Sequence, residues 1–386
     1  MSTYLALLGN TPNLSYAELS ALGAKELQRL GEYVATLSFD ADEDAQQLLN
    51  LLGGTVKIAR EVAQLSLNEQ PQVSEKILQL LIDQAGTDQA IDFAIGEIGR
   101  DHLPAIELSD LKQELRTRGI KARYVEGTRH GLNAASLKQN SKLTEILIIQ
   151  TASGISLCIT AAYQDVDEWA MRDRQKPFAE HKRGLLPPKV ARILVNLSLG
   201  QGDPTTATIC DPFCGSGTVI FEALLRGARI VGSDLDPVAV QGTKDNLVWF
   251  LEQYPEYSTV PVIVEQADAA SLKLPPRSIS HLVTEPFLGK PKPLPEQLPN
   301  IFRGLERMYL GAFKHWRSFL AENAQLVVIF PVVDMEVGTH RRVYTLQALI
   351  DKLAAIGYTT SSEPIMYARP GAIVQRAIYT FRYVTR

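Results

Sequence analysis

The stretch from Ile209 to Pro237 constrains this chain more than any other. It reads Ile-Cys-Asp-Pro-Phe-Cys-Gly-Ser-Gly-Thr, runs on as an apolar segment to Arg226, and resumes as Gly-Ala-Arg-Ile-Val-Gly-Ser-Asp-Leu-Asp-Pro. The apolar run Ala207 to Cys210 stops at an acid and a glycine-rich turn. Val219, Ile220, Ala223 and Leu224 then keep helical spacing, and a second apolar run, Arg229 to Gly232, ends in another acid. The pattern predicts strand, tight turn, helix, strand, with its acids at the carboxyl edge of a parallel sheet, where such sheets bind ligands.

Gly215-Ser-Gly217 lets backbone approach a ligand with no side chain in between. A dinucleotide-binding fingerprint would need a third glycine where Ile220 stands, so a pyrophosphate cradle is not indicated. Asp211, lying before the turn, suits a cationic amino acid moiety. Asp234 follows it by 23 positions, close to the spacing of a ribose-binding acid. Asp268, after the next expected strand, is placed to meet an adenine edge. Adenosine joined to an amino acid end means S-adenosylmethionine.

The chain of 386 residues is long enough for two domains with separate cores. Its composition is 45% apolar and 21% charged, and no apolar run reaches the ~20 residues of a membrane span. The N-terminus lacks the basic region of a signal peptide and reads as a strand. Cys158, Cys210 and Cys214 are too few and too badly spaced for a zinc cluster or a disulfide framework, so a reducing, cytoplasmic setting is expected.

The first half reads as α+β. Strands are expected at Tyr4 to Leu8, Tyr33 to Phe39 and Thr55 to Leu67, with helices over Asp44 to Leu52, Val73 to Ile82 and Ser109 to Arg118. Ser15 and Glu18 fit a capping box starting a helix to about Leu30. Glu145 to Gln150 and Ile155 to Ala162 suggest a closing hairpin across Ala152-Ser-Gly154. The second half alternates strand and helix from Pro187. Its strands are expected at Ala207 to Cys210, Arg229 to Asp234, Val262 to Glu265, Ser280 to Thr284, Gln325 to Phe330, Tyr358 to Met366 and Ala372 to Tyr383, the last pair antiparallel. Seven strands with that finish predict a doubly wound α/β fold.

The net charge of −4 argues against nucleic-acid binding by the whole surface but leaves local patches open. Lys112 to Lys142 holds eight Lys/Arg against two Glu, a local balance of +6, and Arg172 to Arg192 holds a balance of +5. Such runs are commonly solvated faces. Two of them ahead of a catalytic unit favour nucleic acid, because phosphate contacts supply most non-specific affinity.

Asp-Pro-Phe-Cys-Gly-Ser-Gly-Thr resembles the class I S-adenosylmethionine-dependent methyltransferases that act on exocyclic amines of nucleobases. Upstream, Arg172-Asp-Arg-Gln-Lys-Pro177 and Gly184-Leu-Leu-Pro-Pro-Lys-Val-Ala-Arg192 are similar to the segment before the catalytic domain in THUMP-domain tRNA guanine-N2 methyltransferases. Leu8 to Glu18, Tyr367 to Gly371 and the Asn133 to Leu143 stretch look like the same group. The resemblance implies a ferredoxin-like domain at 1–65, a THUMP domain at 66–164, a linker at 165–186 and a Rossmann-like methyltransferase domain at 187–386. It implies a cytoplasmic enzyme that methylates N2 of a tRNA guanosine, often position 10, by direct transfer to a base rotated out of its stack. Donor contacts are then expected from Asp211, Phe213, Gly215, Gly217, Asp234, Leu235 and Asp268. Arg172, Arg174, Lys176, Lys182, Arg183 and Lys189 are expected to meet tRNA. Some relatives use a small zinc-binding activator subunit, and one is open for this chain.

Such enzymes carry Asp/Asn-Pro-Pro-Tyr/Phe after the fourth strand; here the segment is Thr284-Glu285-Pro286-Phe287-Leu288-Gly289. Glu285 takes the acid position, to accept hydrogen from the amine. Phe287 is the stacking residue if the turn differs by one position. Glu285, Pro286 and Phe287 are the expected catalytic residues. Two alternatives stay open: an amine methyltransferase of DNA or another RNA, and, motivated by the altered motif, a tRNA-binding protein with weakened catalysis. Cys214 fits the turn because it is small, not as a nucleophile. His181 and His340 read as surface residues, and Asp236 either helps hold the ribose turn or simply starts the next helix.

Overall fold

The computed structural model describes residues 2–39, 44–99, 107–128, 131–140, 142–150, 154–179, 185–337, 340–360, 362–369 and 371–385. The chain divides into two compact units. The first is Met1–Ser20 with Ala24–Glu168, and the second is Ala21–Gly23 with Trp169–Arg386.

The first unit runs β1 (Ser2–Leu8), α1 (Pro12–Ala21), β2 (Lys25–Arg29), β3 (Val34–Phe39), α2 (Ala45–Leu51), β4 (Thr55–Leu65), α3 (Val73–Ala85), β5 (Ala90–Ile98), α4 (Leu108–Thr117), β6 (Lys121–Tyr124), α5 (Ala134–Gln139), β7 (Leu143–Gln150) and β8 (Ile155–Tyr163). All eight strands join one sheet, in the order β2-β3-β1-β4-β8-β7-β5-β6. β7 and β8 form the expected antiparallel pair; the Ala152-Ser step between them lies outside the described residues. Ile77 and Leu81 of α3 and Leu111 and Leu115 of α4 pack with Phe93, Ile146, Ile148 and Leu157 in one apolar core. Beside it a buried carboxylate, Glu145, accepts from Lys57 at 2.6 Å, from the Leu132 amide at 2.6 Å and from Thr160. Removing one partner from such a network would leave a buried charge uncompensated.

The expected capping box is corrected here. Ser15 and Glu18 lie inside α1, which starts at Pro12, a residue suited to a first turn. The Ser15 hydroxyl donates to Gly54 O, and the Glu18 carboxylate accepts from the amides of Gly53 and Gly54. These side chains tie α1 to the turn before β4 instead of capping a helix. The stretch expected to stay helical to Leu30 turns into β2, drawn out by pairing with β3.

The second unit begins inside α6 (Val166–Arg174), a helix that falls in the stretch read as a linker. It continues with α7 (Pro188–Leu199), β9 (Thr208–Asp211), α8 (Thr218–Leu224), β10 (Arg229–Asp234), α9 (Pro237–Gln253), β11 (Val262–Gln266), β12 (Ile279–Thr284), α10 (Leu298–Trp316), β13 (Leu320–Val337), β14 (His340–Tyr344), α11 (Gln347–Ala355), β15 (Tyr358–Thr360), β16 (Ile365–Tyr367) and β17 (Val374–Tyr383). Seven strands lie on the path β11-β10-β9-β12-β13-β17-β15, with β14 added to β13 and β16 to β17. The first four neighbouring pairs are parallel and β17 is antiparallel to β13, so the expected doubly wound α/β fold is present. The strand order reverses between β9 and β12, which opens a crevice at their carboxyl ends.

β13 is three times the expected length. β17 accompanies it from Gln325 to Val333, and β14 takes over from Val333 to Val337. The polar Asp334 and Glu336 thus sit in a two-stranded ribbon, where Asp334 pairs with Arg341. Hydrophobic alternation, which marks a strand facing a core, fades there, and the sequence pattern ends early for that reason. Tyr358 to Met366 divides into two short strands, both antiparallel to β17.

Candidate active site

A cavity of about 680 Å³ opens at the carboxyl ends of β9, β10 and β12. Asp211, the last residue of β9, points into it although its side chain is buried. Its Oδ1 accepts from the Thr284 hydroxyl at 2.7 Å and from the Phe213 amide at 3.2 Å. Burial, helped by the negative Asp234 and Glu285 nearby, pushes its carboxyl up to about 7, against the pull of those two donors. A buried carboxylate of this kind gains most from a bound cation.

Asp234 ends β10. One of its oxygens accepts from the Gly215 amide at 3.0 Å and the other from the Asp236 amide at 2.9 Å. It therefore clamps both turns that face the cavity and keeps lone pairs for hydroxyl groups. Asp236 caps α9, accepting from the Val238 amide. Leu235 lines the cavity while 67% exposed, offering an apolar surface beside the acid.

The two glycines differ in purpose. Gly215 has φ +53°, and a Cβ there would meet nothing closer than Phe213 O at 4.0 Å. The open side faces the cavity, which it lines. Gly217 has φ +86°, and a Cβ would strike the Phe221 ring at 2.8 Å and Thr243 at 3.0 Å. Gly217 is thus required by packing at the start of α8 and lies outside the lining residues.

Glu285, Pro286 and Phe287 leave β12 on the other wall of the same cavity. The Glu285 carboxylate accepts from Arg376 Nε at 2.5 Å. Burial holds Glu285 above the usual carboxylate range, while the Arg376 and Arg369 charges pull it back down. Phe287 is 56% exposed, and its carbonyl accepts from the Tyr309 hydroxyl at 2.7 Å. The backbone is thereby anchored with the ring left bare. Leu288 lines the cavity as well.

Arg172, Lys176 and Arg192 of the basic stretch are buried. Glu222 of α8 is buried between Arg172, at 2.9 Å, and Arg192, at 2.8 Å. Both guanidiniums stand near the Trp169 ring, at 4.3 and 5.8 Å from its centroid, and the Lys189 ammonium at 5.6 Å. Lys176 is buried and donates to the hydroxyls of Ser216 and Thr218 at 3.2 and 3.1 Å, and burial lowers its pKa. Phe178 sits against Gly242, with its backbone amide and carbonyl both bonded to Asn246. Arg172 and Lys176 are therefore spent inside the second unit and cannot present charge to a phosphate. Arg174 is exposed, and Lys182 and Arg183 lie outside the described residues.

The structure brings Asp211, Phe213, Gly215, Asp234, Leu235, Glu285, Pro286 and Phe287 to one cavity. Asp268 is exposed two residues past β11, accepts from the Ala270 amide at 2.8 Å, and stands outside the cavity lining. Cys214 is buried, with its thiol held well above its ordinary value, which agrees with a packing role. Sequence reasoning missed Arg376, Thr284 and Met308, which either line the cavity or hold its acids. Only the full register of β17 brings Arg376 there.

Residues 176–302 match the family model described as UPF0020: RMKL-like, methyltransferase domain. The chain is 39% identical over 119 residues to the tRNA (guanine(10)-N2)-dimethyltransferase of Methanothermobacter thermautotrophicus, covering 31% of each protein. The match thus spans about a third of that relative. It is 25% identical over 367 residues to the protein of the same name in Methanocaldococcus jannaschii, covering 89% of this chain and 96% of the relative. The crystal structure of TrmN from Thermus thermophilus matches in fold, with a TM-score of 0.57, 15% identity and full coverage of both chains. By its methyltransferase domain, its fold and its curated relatives, the chain resembles the tRNA guanine-N2 methyltransferases.

Proposed function

We propose that this protein transfers a methyl group from S-adenosylmethionine to the exocyclic N2 amine of a guanosine in tRNA. The observation that carries the reading is the joining, in one cavity, of the Asp211–Asp234 wall to the Glu285-Pro286-Phe287 wall. The curated relatives support the substrate and point to position 10 and to a second methyl on the same amine.

The residues present fit the donor. Asp211 would hold its ammonium, Asp234 its ribose hydroxyls, and Leu235 its adenine, with Phe213 and Gly215 shaping the turn around it. When bound, S-adenosylmethionine supplies an electrophilic methyl on a sulfonium, whose departing electron pair stays on sulfur. Phe287 offers its exposed face to the flipped base. The Glu285 carboxylate accepts hydrogen from the amine, frees the nitrogen lone pair for attack, and takes the proton as the new N–C bond forms. Alignment carries much of the rate.

The first unit is taken as the half that holds RNA, with a ferredoxin-like part at 1–65, a THUMP part at 66–164 and a connector at 165–186. Exposed Arg116, Lys121 and Lys142 support that reading, in place of Arg172 and Lys176. The reading keeps a place for a small zinc-binding activator subunit, whose addition raises transfer if the chain uses one.

Labelled donor, purified protein and bulk tRNA test the reaction, followed by mass spectrometry of the nucleosides. The expected product is N2-methylated guanosine, reduced at least about 100-fold by Glu285→Ala, as for loss of a positioned acid–base group. Methylated adenosine, or full transfer by Glu285→Ala, would overturn the assignment. Equal activity on duplex DNA would favour a DNA substrate.

A further inference from the structure

Beside the expected amine acceptor the cavity holds a guanidinium, that of Arg376. Arg376 lies on β17, 91 positions from Glu285, and reaches the cavity because β17 runs antiparallel to β13. Its register partner on β16 is Tyr367, whose ring centroid lies 5.7 Å from the guanidinium. The Glu285 and Arg376 side chains are only 13% and 11% exposed. An ion pair this dry adds little stability over apolar packing, so its presence at a ligand cavity points to recognition. A carboxylate held next to a guanidinium presents acceptors and donors in neighbouring positions.

That order matches one nucleobase edge. Guanine presents the O6 acceptor, the N1–H donor and the N2 amine in sequence, while adenine presents an N6 donor next to an N1 acceptor. We propose that Arg376 is a specificity-determining residue that donates to guanine O6 while Glu285 accepts from N1–H and the N2 amine. The inference rests on the guanine-N2 reading above. Adenine would set its N6 donor against the guanidinium and its N1 lone pair against the carboxylate, leaving both charges desolvated and mispaired. In the free protein the two side chains satisfy each other.

The test uses the full chain with tRNA transcripts carrying either guanine or 2-aminopurine at the methylated position. 2-Aminopurine keeps the amine but lacks O6 and the N1 hydrogen. Wild type should methylate guanine with the higher kcat/KM. Arg376→Gln should lower kcat/KM on guanine by about 10- to 100-fold, the range for losing a hydrogen bond to a charged group. Any loss that comes through Glu285 falls on both bases alike, so 2-aminopurine should lose less by about 10-fold or more and the discrimination ratio should fall by that factor. Donor affinity measured by calorimetry controls for folding, and Arg376→Lys, which keeps a cationic donor, should retain part of the discrimination. Equal losses on both bases would overturn the inference and reduce Arg376 to a prop for Glu285. Failure of wild type to methylate either base would overturn the guanine-N2 reading itself, and the inference with it.

Discussion

At Asp211 a carboxylate shut away from water is met by two donors, Thr284 and the Phe213 amide, and by no ion pair among the described residues. Burial pushes it up to about 7, so near neutrality the free protein holds a proton there part of the time. A donor carrying an ammonium needs the ionised form. Above about pH 7 its affinity should be flat. Below that value each binding event must release the proton, so Kd should rise toward tenfold per pH unit. Calorimetry with S-adenosylhomocysteine, which has the same amino acid end, checks this between about pH 5.5 and about pH 8.5. Asp211→Asn should bind more weakly at high pH and lose the pH dependence. A flat profile for wild type would remove Asp211 from the ammonium site.

The element that ties the basic stretch to the catalytic unit is α8, through Glu222. Two arginines from α6 and α7 share this one buried carboxylate. Glu222→Ala removes the carboxylate that both buried guanidiniums share and should cost about 3–5 kcal/mol, seen as a lower urea midpoint. Glu222→Gln, which keeps one acceptor, should cost less. Equal stability of all three proteins would show that the arginines find water instead. The same elements show what a sequence discloses. The Asp211 to Gly217 turn and the acid ending β10 were legible because their chemistry is local, each residue lying within a few positions of the strand end it serves. The charge run at 172–192 was legible as charge but not as burial, since the deciding partner, Glu222, is 50 positions from Arg172. Arg376 lacked any local signal, and β2 was hidden because Lys25 to Arg29 is built of residues that also suit a helix.

At the scale of the whole chain, net charge is −4 and any affinity for RNA must come from a localised surface. In the first unit most of the +6 stretch is exposed on α4, on the edge strand β6 and next to β7. Not all of it is available. Arg118 pairs with Glu114, Arg123 with Asp92, and Lys138 with Asp165 and Asp167. Arg116, Lys121 and Lys142 form no ion pair among the described residues, and they are the charges we expect to meet phosphate. Replacing all three by Ala should raise KM for tRNA and leave kcat unchanged, because the cavity in the second unit is untouched. Each contact removed should also lower the slope of log affinity against log salt by about 0.9. A slope unchanged in the triple variant would mean that the phosphates are held elsewhere, and the first unit would lose its assigned role while the methyl-transfer chemistry of the second still stood.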